Sequence, residues 1–321
     1  AINLNPMDPT YYANRAACHF GLKKYDKCIE DCNNALDIDG KFAKAWMRKG
    51  RSLLYLGQFD EAKKCLQKAK EIEPSNSSLK QELNELSLVQ SSVQNADTNF
   101  NSGEYEKALG GYKSALQTCP DLIPARIKSI EALAKTGDTQ TAIELCNRYG
   151  TELSGNVDFL YAKGLTLCYH GKTDAGKRVW VDAMRLDPDN TKCRSHIKII
   201  NRQEEAKEKG NAAFKAGDNQ GAVTHYTVGI DLDPHNKTLS STLYANRAAA
   251  YLKLKKYTES LADCNKAIAL NDSYAKAYLR RGEARMELGD YEDATRDFNR
   301  ADQLDPMLGA KERMRVANQE A

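Results

Sequence analysis

Small and large hydrophobic residues alternate along this chain in a register that repeats every 34 residues. The register is plainest between residues 203 and 306. Tyr244 and Tyr278 occupy the fourth position of successive units, Gly210, Ala248 and Gly282 the eighth, Tyr257 and Tyr291 the seventeenth, and Ala222, Ser260 and Ala294 the twentieth. Apolar positions three and four apart predict helices, and a small residue recurring beside aromatics marks where two helices must touch. Each unit is therefore predicted as a helix-turn-helix. Residues 9–42 follow the same register through Tyr12, Ala16, Tyr25 and Ala35, and residues 43–76 through Trp46, Gly50, Phe59, Ala62, Ala69 and Pro74. Three more units begin at Val89, Ile123 and Val157. Gly103, Gly137 and Gly171 mark their inter-helix turns, where glycine accepts positive φ after a helix end.

Two stretches break the register, residues 77–88 and 191–202. Leu79, Leu83, Leu86 and Val89 in the first, and Ile197 and Ile200 in the second, keep helical spacing, so both are predicted as helical linkers. The second should run on into the helix that carries Lys207. The predicted organisation is a first group over residues 1–76, a linker at 77–88, a middle group at 89–190, a linker at 191–202, a last group at 203–306 and a capping helix at 307–321. The opening AINLNP matches the end of a unit's second helix. The chain is therefore expected to be a fragment whose first repeat is incomplete.

A period of 34 with these small and aromatic positions resembles the tetratricopeptide repeat (TPR). The resemblance implies an all-α TPR solenoid, a right-handed superhelix in which the first helix of each unit lines the concave side. A solenoid grows by stacking units, so 321 residues need not mean several separate cores.

Composition narrows the function. A net charge of +3 is too small for a concentrated nucleic-acid face, and no apolar run approaches the ~18 residues of a membrane span, so neither nucleic acid nor membrane is expected as a partner. Nine cysteines without CxxC pairs argue against a disulfide framework or structural zinc. Cys28 and Cys32 lie one helical turn apart, but at packing positions. They are read as buried reduced thiols, which suggests a cytoplasmic or nuclear setting. His19, His170, His196, His225 and His235 show no metal-ligand spacing, and there is no phosphate loop, GxSxG elbow or HExxH motif. No cofactor is expected, and the chain reads as a binding protein rather than an enzyme.

Five polar residues in the last group are not required by the repeat: Lys207, Asn211, Asn246, Lys276 and Arg280. Lys207 and Asn211 are one turn apart on one helix, and so are Lys276 and Arg280 on another. Stacking would bring all five towards one groove that offers donors without acidic partners, a site for carboxylates. Their contexts AKEKGN, YANR and AKAYLRR match the two-carboxylate clamp of co-chaperone TPR domains. In that family the clamp holds the C-terminal EEVD of cytosolic Hsp70 and Hsp90. On this resemblance Lys207, Asn211 and Asn246 would hold the main-chain carboxylate and Lys276 the aspartate side chain. Arg280 and Lys253 would reach further back. Four or five charge-assisted bonds, less the cost of ordering a tail, imply affinity on the order of micromolar.

The middle group has Val93, Asp97, Lys128, Asp158 and Ala162 at the equivalent positions, and its acids would repel such a ligand. Asn14, Lys44 and Arg48 match the last three clamp positions in the first group and form a partial second clamp. The order clamp, no clamp, clamp resembles the TPR-containing J-proteins. It implies an adaptor between Hsp70 and Hsp90, acting on client proteins indirectly. The J domain's HPD signature is absent, so stimulation of Hsp70 ATPase is not expected of this stretch. The alternatives are a Hop-type adaptor, whose Asp-Pro-rich domains would not fit the short linkers, or the TPR targeting region of an enzyme. The endoplasmic-reticulum J-protein relative lacks the clamp, and a general scaffold would owe nothing to these residues.

Overall fold

The computed structural model describes residues 5–320. The reading of AINLNP as the tail of an incomplete repeat falls mostly outside them. Seventeen α-helices and one 3-10 turn account for nearly all of the described chain, and no strand occurs among the described residues. In order they are α1 (Pro9–Gly21), α2 (Tyr25–Ile38), α3 (Ala43–Tyr55), α4 (Phe59–Ile72), α5 (Ser77–Asn101), α6 (Tyr105–Thr118), α7 (Ile123–Thr136), α8 (Thr139–Tyr149) and α9 (Val157–Tyr169). There follow α10 (Thr173–Leu186), α11 (Thr191–Lys215), α12 (Asn219–Leu232), α13 (Lys237–Lys253), α14 (Tyr257–Leu270), α15 (Ala275–Leu288), α16 (Tyr291–Leu304) and α17 (Ala310–Glu320).

The helices pair in sequence, and each repeat places its turn on a residue with positive φ. Gly57, Gly103, Gly137, Gly171, Gly217 and Gly289 fill this position with φ between 79° and 92°. Lys23 and Lys255 stand at the same register position and are held at φ 57°. The left-handed conformation is therefore a demand of the repeat, which glycine meets at least cost. The longest helices, α5 and α11, have 25 residues each and start at asparagine caps: Asn76 Oδ1 accepts from the Ser78 amide and Asn190 Oδ1 from the Cys193 amide.

Close approach of the paired helices depends on the small eighth position. A Cβ on Gly210 would lie 2.4 Å from the ring of Tyr226, and one on Gly282 2.6 Å from Phe298. The chain divides into two compact units. One comprises residues up to Thr136 with Thr141–Ser154; the other comprises Gly137–Gln140 with everything from Gly155 onward. In the second unit Ala222, Val223, Tyr226, Ile230 and Leu243 form a core between α12 and α13. At its end Ala310, Met314 and Ala317 of α17 pack on Ala294, Phe298 and Ala301 of α16. Eight of the nine cysteines are buried free thiols, Cys28 and Cys32 among them. Among the described residues no helix is long and apolar enough to cross a membrane.

Candidate functional site

The second unit sets the first helices of its last three repeats, α11, α13 and α15, side by side. Three of the singled-out residues meet there directly. Arg280 Nη1 donates to Asn246 Oδ1 at 3.2 Å, Asn246 Nδ2 donates to Asn211 Oδ1 at 3.3 Å, and the Tyr226 hydroxyl donates to the same oxygen at 2.8 Å. The direction of this relay is set at one end. A guanidinium has no acceptor, so the atom facing Arg280 is the amide oxygen of Asn246, and its NH2 faces Asn211. Both acceptor atoms are thus consumed inside the relay. The NH2 of Asn211 and one N–H of Asn246 remain as donors.

Around this neutral centre stand the cations. Arg280 and Lys253 line one cavity of ≈ 440 Å³, with Phe214, Leu252 and Tyr257. Lys207 lines another of ≈ 170 Å³, beside Glu204, whose carboxylate is held by Lys177. Lys276 is exposed, one turn before Arg280 on α15. Among the described residues, Lys207, Lys253, Lys276 and Arg280 form no ion pair with an acid. Of the carboxylates that line the larger cavity, Glu283 pairs with Arg313 at 2.7 Å, and Glu287 raises the pKa of the Tyr257 hydroxyl. The arrangement can therefore accept an extended anion with two or more carboxylates, at the edge of a partly apolar cavity.

Arginines next in sequence to the site behave differently. Arg247 donates to both oxygens of Asp263, at 2.7 and 2.8 Å, and Arg281 to both of Asp297, at 2.9 and 2.7 Å. Burial alone would lower the affinity of these guanidiniums for their proton, but the paired aspartates outweigh it and raise their pKa. Arg15 and Asp31 make the same fork in the first repeat. An arginine followed 16 residues later by aspartate occurs four times in the sequence, at Arg15, Arg202, Arg247 and Arg281, so the spacing alone does not single out these three locks. Tyr226 carries no signal of its own in the sequence, because its register position is one where any large aromatic serves packing.

In the first unit Asn14 and Lys44 are exposed, and Arg48 is half-buried with its Nη1 on the Ala13 carbonyl at 2.8 Å. There the three matching residues lie on adjacent helices, α1 and α3, without a relay like that of the second unit. The equivalents in the middle repeats offer no open donor set. Val93 and Ala162 are buried, Asp97 accepts from the Tyr112 hydroxyl, Lys128 sits 4.2 Å over the Phe100 ring, and Asp158 faces Lys192.

Paired helices in a 34-residue register, with glycine-type turns and small crossing residues, define a TPR solenoid. Profiles described as tetratricopeptide repeat match residues 9–42, 43–76, 241–274 and 275–306. Over its whole length the chain is similar to DnaJ homolog subfamily C member 7 of Homo sapiens, at 30% identity across 100% of this chain and 65% of that protein. The Dictyostelium discoideum homologue of that protein is 29% identical across 94% of this chain and 57% of its own length. The chain thus spans 57–65% of these curated relatives. The crystal structure of the P58(IPK) TPR domain covers 99% of the chain and 90% of that chain with a TM-score of 0.57 at 18% identity, a likeness of fold alone.

Proposed function

We propose that the groove of α11, α13 and α15 binds the free C-terminus of acidic tails, namely the EEVD ends of cytosolic Hsp70 and Hsp90, and that the protein serves as a co-chaperone adaptor in the cytoplasm or nucleus. The observation that carries this reading is the polarity of the site. Its amide oxygens are spent on internal donors, while Lys207, Lys253, Lys276 and Arg280 have no acidic partner. A terminal aspartate presents two carboxylates on one residue, so it matches a cluster of separated cations around two amide donors. The cavity beyond Arg280 gives room for the residues that precede it. Lys276 and Lys253 are exposed, so their bonds to a ligand contribute less than those of the half-buried Arg280 and Asn246.

The middle repeats play no part in this binding, since Asp97 and Asp158 place negative charge where cations or amides would be needed. Asn14, Lys44 and Arg48 supply part of the same chemistry in the first unit, and on this reading they bind such tails weakly at most. Calorimetry with a peptide ending in Glu-Glu-Val-Asp tests the proposal. The free acid should bind with a Kd on the order of micromolar, and its C-terminal amide at least tenfold more weakly. Equal binding of the two forms would overturn the proposal.

A further inference from the structure

An asparagine in an anion site can work for or against its ligand, because its amide presents a donor at one end and an acceptor at the other. Which end Asn211 turns to the groove is decided behind it. The Tyr226 side chain is 2% exposed and comes from α12, the second helix of the repeat whose first helix carries Asn211. Its ring is seated against Gly210, where an added Cβ would come within 2.4 Å, so the phenol has little freedom to move. Its hydroxyl donates to Asn211 Oδ1 at 2.8 Å. Burial pushes this phenol's pKa up, with Arg280 opposing, so it keeps the proton it donates.

The same device stands in the first unit with the opposite outcome. There the Tyr112 hydroxyl donates to Asp97 Oδ1 at 2.5 Å, from the same register position on α6 to the same position on α5. The supporting hydroxyl is common to both. Only the side chain it holds differs, an amide with an NH2 to spare in one place and a carboxylate in the other.

We propose that Tyr226 is a positioning residue for anion recognition: its hydroxyl pins the oxygen of Asn211 and so points the Asn211 NH2 at the incoming carboxylate. This rests on the reading of the groove as a carboxylate site. With the hydroxyl removed, the Asn211 oxygen keeps a single donor, Asn246, and the cost of turning that oxygen into the groove falls.

Tyr226→Phe keeps the ring and removes only the hydroxyl. Its affinity for the free-acid Glu-Glu-Val-Asp peptide, measured by calorimetry on the whole chain, should fall about five- to tenfold, the range of one hydrogen bond. Binding of the amidated peptide should change little. In an Asn211→Ala background the same substitution should have no further effect, and the Asn211 side-chain NH2 signals should move in the NMR spectrum of Tyr226→Phe alone. Tyr112→Phe makes the same change in packing within the first unit and should leave affinity as it was. Wild-type affinity in Tyr226→Phe, or an equal loss with Asn211 already removed, would overturn the proposal while the carboxylate reading stands. A wild-type protein that fails to tell free acid from amide would overturn both.

Discussion

Neighbouring arginines on α15 carry different burdens, although the sequence writes them as a pair. Arg281 is forked onto Asp297, which also receives Arg285, so it ties α15 to α16. Arg280 has no acid and turns to Asn246. Truncating Arg281 leaves a carboxylate only 4% exposed with one partner fewer, whereas truncating Arg280 removes a half-buried donor from the groove. Arg281→Ala should lower stability to urea by about 2 kcal/mol. Arg280→Ala should stay within about 0.5 kcal/mol of wild type in the same titration, yet weaken free-acid peptide binding about tenfold or more. If both substitutions cost stability equally, the division of labour drawn here is wrong. The recurrence of Arg15–Asp31, Arg247–Asp263 and Arg281–Asp297 was legible as spacing. That the pairs are structural, and stand beside the residues of the proposed anion site instead of among them, was not, because adjacent residues on a helix face directions about 100° apart.

At the scale of elements, the first unit is tied together by ion pairs that span long stretches of sequence. Lys23, on the tight turn after α1, reaches Asp121 before α7 at 2.7 Å and Glu152 after α8 at 3.2 Å. The buried Arg126 of α7 contacts the same two acids and stacks 4.7 Å from the Tyr149 ring. Burial would raise the pKa of Asp121, but Lys23 and Arg126 outweigh it and hold it below the usual carboxylate value. The Lys23 ammonium, opposed by burial but bonded first to Asp121, is raised. A carboxylate depressed by folding contributes stability above its unfolded pKa of about 3.9 and loses it as pH falls through the folded value. The raised lysine keeps its contribution until pH climbs past about 10.4. Lys23→Met should therefore cost about 1 kcal/mol at neutral pH, a figure reduced for partial exposure. The difference from wild type should be smaller at about pH 2, below the unfolded carboxylate pKa. Urea titrations at the two pH values check this, and a pH-independent difference would mean that Lys23 acts through packing alone. None of these long-range pairs was read from the sequence, since opposite charges about 100 residues apart carry no periodic signal.

At the scale of the molecule, all six residues of the proposed clamp belong to the second compact unit, together with Tyr226 and both arginine locks of that unit. Each of its repeats contacts its sequence neighbours, as in other solenoids, where stability is roughly a sum over adjacent interfaces. A chain of residues 155–321 should accordingly bind the free-acid peptide within about threefold of the whole protein, less than 1 kcal/mol apart. A much larger loss would place part of the site elsewhere. The sequence by itself determined the helices, their pairing and the all-α solenoid. Each is a consequence of local periodicity, with glycine or an accommodating lysine at the turns and small residues wherever backbones must approach. It also marked Lys207, Asn211, Asn246, Lys276 and Arg280, because residues in register that packing does not need stand out against a repeat. Only the tertiary structure decided which way the two amides face, that Tyr226 holds one of them, and which arginines are already taken by aspartates. Hydrogen-bond direction depends on atoms from different helices meeting at about 3 Å, and the 34-residue period says nothing about that.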